Sequence, residues 1–80
     1  MISKHGILNV FARNVRYFRH KLEISQEELA FRAGVHRTYA GMVERAEKNI
    51  TLVNIEKFAK ALEVSICDLV ENVPGRDTDK

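Results

Sequence analysis

The side chains capable of catalysis or metal binding are thinly spread along this chain. His5, His20, His36 and Cys67 are separated by fifteen, sixteen and thirty-one positions. A structural zinc site uses closely spaced ligand pairs, so no metal is expected. There is no Gly-rich phosphate loop, nucleophile elbow or metalloprotease motif. Cys67, beside Ile66, reads as a small hydrophobe. The chain is accordingly not expected to be an enzyme or to need a cofactor. The remaining chemistry is hydrogen bonding at Arg37 and Thr38. An arginine can bond O6 and N7 of a guanine with two parallel N–H groups, contributing about 1 to 3 kcal/mol of discrimination. It can equally touch phosphate alone.

The segment that positions these residues runs from Gln26 to Arg45, QEELAFRAGVHRTYAGMVER. Ser25, three residues before Glu28, predicts a capping box that starts a helix at Gln26. Leu29, Ala30 and Ala33 form its apolar stripe, and Gly34 follows where a left-handed residue ends a helix. Val35 then turns inward, and helical patterning resumes at Arg37 with Tyr39, Ala40, Val43 and Glu44. Two short helices meeting at the small residues Ala30 and Gly34 outline a helix-turn-helix. The outer face of its second helix has the length to enter a DNA major groove, roughly 12 Å wide. An ordinary helical hairpin in a small bundle is the other reading of the same pattern.

Every other segment also reads as helix. Leu8, Phe11, Val15, Phe18 and Leu22 predict an amphipathic helix from about residue 7 to 22, with Arg13 and Arg16 read as solvated surface. Thr51 caps a helix carrying Ile55, Phe58, Ala59 and Leu62, and Ser65 with Asp68 opens one carrying Leu69 and Val70. The expected fold is all-α, a five-helix bundle containing a helix-turn-helix. One domain over 1–73 is expected, with a flexible tail over 74–80, where no apolar residue offers an anchor.

The stretch from Phe11 to Val70 resembles the Xre/Cro/C1 helix-turn-helix family, which includes the lambdoid phage repressors. Gln26, Leu29, Ala30, Gly34, Val35, Val43, Glu44 and Arg45 carry the resemblance, with the Asn-x-Thr-Leu segment at Asn49 to Leu52. Within that family HRTYAGMVERAEKNITL is similar to the controller proteins of restriction-modification systems. Ala40 stands where the family usually places a larger aliphatic residue, and Gly41 and Met42 are also unusual.

The resemblance implies a role for each site residue. Gln26 matches a family contact to a backbone phosphate, at a helix N-terminus that itself favours an anion. Arg37 and Thr38 match the solvent-facing positions where the family reads base edges, and Met42 offers apolar contact one turn further on. Tyr39 either packs its ring and points its hydroxyl at phosphate or is a core tyrosine. Arg45, Lys48 and Asn49 follow the recognition helix beside the sugar-phosphate backbone. Arg19 and Glu44 are expected to form a partly buried salt bridge.

Composition is compatible with this. The chain has 80 residues and a net charge of +2. Residues 1–48 hold nine Lys or Arg against five Asp or Glu, and residues 49–80 hold four against six, so the two parts carry +4 and −2. The positive part contains the helix-turn-helix, as phosphate attraction requires. With one cysteine, no membrane-length apolar run and no signal-peptide pattern, a cytoplasmic protein is expected.

A lone helix-turn-helix makes few contacts, so a homodimer reading half-sites about 34 Å apart is expected. Val53, Ile66, Cys67, Val70 and Val73 are the candidate interface. The expected function is a transcription regulator of this kind on a pseudo-palindromic operator, as an autoregulating restriction-modification controller, with RNA polymerase a candidate partner. The other class compatible with the sequence is an antitoxin or anti-repressor whose main partner is a protein.

Overall fold

The computed structural model describes residues 4–76, with side chains from residue 6 onward. These residues form five helices and no strand: α1 (Lys4–Leu22), α2 (Gln26–Ala33), α3 (Arg37–Glu44), α4 (Leu52–Leu62) and α5 (Ile66–Val70). Helix α1 begins a turn earlier than its apolar pattern predicts.

The helix starts follow the capping chemistry of the sequence. The Ser25, Thr51 and Ser65 hydroxyls accept from the backbone N–H groups of Glu28, Asn54 and Asp68 at 3.0, 3.2 and 3.1 Å. At α5 the box is complete, because the Asp68 carboxylate accepts from the Ser65 amide. At α2 the predicted box is half made. The Glu28 carboxylate turns forward to Arg32 Nε at 2.9 Å, an i,i+4 partner within easy reach.

Four of the five helices end with one device. At Gly34, with φ of 73°, the Gly34 amide donates to the Phe31 carbonyl and the Val35 amide to that of Ala30, a Schellman closure. The same pair of bonds closes α1 at Glu23, α3 at Ala46 and α4 at Glu63, all non-glycine residues with positive φ. Only Gly34 meets this conformation without the Cβ penalty.

The core lies where the helices converge. Val15, Leu29, Ala40, Phe58 and Leu69 are fully buried. Phe58 packs edge-on to Phe11 with ring centres 6.2 Å apart, and Tyr39 tilts against its ring at 6.3 Å. Small residues Ala30, Ala33 and Ala40 at the α2–α3 crossing bring the two helices close and leave the outer side of α3 projecting. Ala40 is small because its place is wholly inside this crossing.

Two expectations about α1 are corrected. Arg13 and Arg16 are not solvated surface: Arg13 Nη2 donates to Asn72 Oδ1 at 2.7 Å and Arg16 Nη1 to the Glu44 carbonyl at 2.7 Å. The segment after Val73 does find an anchor, but it is not an apolar one. Arg76 donates to the Asp68 carbonyl at 2.9 Å and sets its guanidinium 4.9 Å from the Phe18 ring centre and 5.4 Å from that of Tyr17. Residues 77–80 of the expected tail lie outside the described residues. Beneath this segment, buried Asn14 donates to the carbonyls of Leu69 and Glu71 at 2.9 and 2.8 Å, closing the end of α5 against α1.

Candidate nucleic-acid interface

Glu44 is the hub that fixes α3 relative to α1 and α2. Its carboxylate is 3% exposed and accepts from Arg19 Nε at 2.6 Å, Arg19 Nη2 at 3.1 Å and Gln26 Nε2 at 2.9 Å. Arg19 also donates to the Ile24 carbonyl at 3.0 Å. The expected Arg19–Glu44 bridge is therefore present, two-pronged and partly buried. The family resemblance places Gln26 only at the phosphate surface, yet one of its amide hydrogens is committed to Glu44. Nothing in the helical pattern marks that third donor, because Gln26 sits at a helix start rather than on an apolar stripe.

Above this hub α2 and α3 enclose a groove of about 310 Å³ lined by Gln26, Glu27, Arg37, Thr38, Gly41 and Arg45. Four of the predicted contact residues thus share one surface. Gly41, unusual by family pattern, has a physical role here. A Cβ added at 41 would stand 3.1 Å from Arg45 Nη1 and 3.5 Å from Gln26 Oε1, so its absence lets the Arg45 guanidinium lie across α3. Arg45 is further held by Glu47, Nε to Oε2 at 3.1 Å. Arg37 Nη1 donates to Glu27 Oε2 at 2.8 Å, both side chains being about two thirds exposed.

His36 stands at the start of α3 in a capping role that the sequence does not mark. Its Nδ1 accepts from the Thr38 amide at 3.0 Å and so caps α3. Histidine is not among the usual capping residues, which is why the pattern gave no signal. Tyr39 is half-buried: its ring tilts against Phe58, and its oxygen accepts from Asn54 Nδ2 at 3.1 Å, which leaves its own O–H able to donate.

Other predicted residues lie off the groove. Met42 is half-buried, and Lys48 and Asn49 are exposed in the turn after α3. Asn49 instead edges an apolar cleft of about 270 Å³ formed by Ile7, Leu8, Phe11, Ile50, Ile55 and Val70. Of the candidate dimer residues, Val53, Ile66, Cys67 and Val70 are exposed and Val73 is half-buried. Leu52 and Ile7 add exposed apolar surface that the sequence reading did not single out.

Residues 15–69 match the helix-turn-helix family model HTH_3. The chain belongs to that family. Its helix-turn-helix is of the DNA-binding Xre type. It is 47% identical over 64 residues to Control protein C.SmaI of Serratia marcescens, covering 80% of this chain and 76% of that protein. It is 46% identical over 68 residues to Control protein C.BamHI of Bacillus amyloliquefaciens, covering 84% of each. Among solved structures, the restriction-modification controller protein C.AhdI from Aeromonas hydrophila superposes with a TM-score of 0.75 at 44% identity, covering 78% of this chain and 94% of that one. No helix among the described residues is long and apolar enough to cross a membrane, and none of their His, Cys, Asp and Glu side chains cluster in threes or more as a metal site would need.

The fit of Gly41 under Arg45 sets up one expected result. Gly41→Ala should stabilise the fold by roughly 0.5 to 1 kcal/mol, because alanine is the better helix former and the exposed guanidinium can move aside. If Arg45 meets phosphate as the family resemblance implies, the same substitution should weaken DNA binding on the order of fivefold by displacing its guanidinium. Thermal melts and duplex titrations of one preparation check both signs. Loss of stability together with unchanged binding would show that Arg45 cannot yield and takes no part in binding.

Proposed function

We propose that this chain is a sequence-specific, double-stranded DNA-binding transcription regulator of the restriction-modification controller type, acting in the cytoplasm as a homodimer on a pseudo-palindromic operator. The observation that carries the reading is the groove in which Gln26, Arg37, Thr38 and Arg45 converge on the outer side of a helix-turn-helix. In this reading Arg37 and Thr38 meet base edges, with Met42 beside them. Gln26, Arg45, Lys48, Asn49 and the Tyr39 hydroxyl meet sugar-phosphate, joined by the first-turn amides of α2 and α4.

Half-sites about one DNA turn apart require two copies. Exposed Leu52, Val53, Ile66, Cys67 and Val70, with half-buried Val73, supply apolar surface for that pairing. Autoregulation follows if the operator lies in the chain's own promoter, and an activating role would bring RNA polymerase as a second partner.

The test is titration of the chain on a duplex from its own upstream region and on a shuffled duplex of the same composition, across a salt series. The operator should bind at least about a thousandfold tighter, with log K falling steeply against log salt. A slope near zero, or equal affinity for both duplexes, would sink the reading.

A further inference from the structure

Glu27 is the one carboxylate among the residues lining the groove, and it holds Arg37 Nη1 at 2.8 Å. The pair is 68% and 69% exposed, so solvent screens it and it contributes little to the fold. Its consequence falls on binding. In the unbound protein the side chain best placed to read a base is turned back onto the start of α2, and the tip of the reading surface carries no net charge.

We propose that Glu27 is a specificity-determining residue that restrains Arg37 from indiscriminate phosphate contact, an inference that rests on the DNA-binding reading above. A phosphate offers Arg37 a second anion in place of the first, at the expense of setting Glu27 against a negatively charged backbone. On a non-matching duplex Arg37 therefore stays with Glu27. A correctly placed guanine offers O6 and N7, two acceptors in the geometry of the guanidinium fork. Arg37 then leaves Glu27, because two bonds to the base offset the exposure of the Glu27 carboxylate to the backbone where a single phosphate contact does not. The ion pair thus lowers non-specific affinity more than operator affinity, and the ratio of the two widens.

The experiment compares wild type, Glu27→Gln, Arg37→Ala and the double variant. The probes are a duplex that the wild-type chain enriches from a randomised library and a shuffled duplex of equal composition, each over a salt series. Freeing Arg37 for one extra phosphate should steepen the salt slope on shuffled DNA by about 0.9 and tighten binding there about tenfold near 0.1 M salt. Affinity for the enriched duplex should change by less than about twofold, so the specificity ratio falls about tenfold. With Arg37 already replaced, Glu27→Gln should tighten both duplexes alike through the lost carboxylate–phosphate repulsion and leave the specificity ratio unchanged within about twofold.

Equal gains on both duplexes, no gain on shuffled DNA, or a fall in the specificity ratio that persists without Arg37 would overturn the proposal while leaving the DNA-binding reading intact. A wild-type chain that enriches no duplex would overturn that reading and this inference together. Melting temperatures should agree among the variants within a few degrees, as expected for an exposed pair.

Discussion

Arg19→Ala should lower the unfolding free energy by about 3 to 5 kcal/mol, a large part of the stability of a domain this size. The reason lies in what the substitution leaves behind. The Glu44 carboxylate is 3% exposed and receives two of its three hydrogen bonds from Arg19, so without Arg19 a buried charge keeps only the Gln26 amide. Removing Glu44 should be milder, because Arg19 is 15% exposed, retains the Ile24 carbonyl and can reach water. The pair is therefore asymmetric. Replacing both partners, as Arg19→Met with Glu44→Leu, should recover most of the loss, since the damage comes from an unpaired buried charge. Denaturant midpoints for the two single variants and the double variant close the cycle. A loss below about 1 kcal/mol for Arg19→Ala would mean that water reaches Glu44 and that the hub does not fix α3.

What could be read in advance depended on whether a residue's role is local. Ser25, Thr51 and Ser65 announce helix starts because a hydroxyl and an amide three residues on are enough to form the bond. Gly34 announces an end for the same reason. The ends at Glu23, Ala46 and Glu63 gave no such signal, because the left-handed conformation there is imposed by helix packing rather than by residue type.

The site divides along the same line. The helix-turn-helix outline and the family resemblance bring Arg37, Thr38 and Arg45 to one groove, and the resemblance also pairs Arg19 with Glu44. Glu27 on Arg37, Gln26 on Glu44 and Asn54 on Tyr39 join residues ten, eighteen and fifteen positions apart, and no helical spacing connects them. The anchor of Arg76 is a pair of aromatic faces on α1, which the absence of apolar side chains in its own segment does not signal.

Arg37→Ala and Lys48→Ala should separate base reading from phosphate attraction. Arg37 stands at the first position of α3, exposed at the mouth of the groove, and in the proposed reading its fork meets one base pair per half-site. Its loss should remove about 1 to 3 kcal/mol of discrimination at that base pair, leaving preferences elsewhere in the operator unchanged. Lys48 lies beyond the end of α3 as an exposed point charge outside the groove, so its loss should weaken all sequences alike and flatten the salt slope by about 0.9 per half-site. The discriminating measurement is a panel of operators, each with one substituted base pair, titrated with wild type and both variants at two salt concentrations. In that panel Arg37→Ala should collapse the spread at a single column, and Lys48→Ala should shift every column by the same amount. If both variants shift all columns uniformly, Arg37 contacts phosphate only, and base reading must pass to Thr38 and Met42 further along α3.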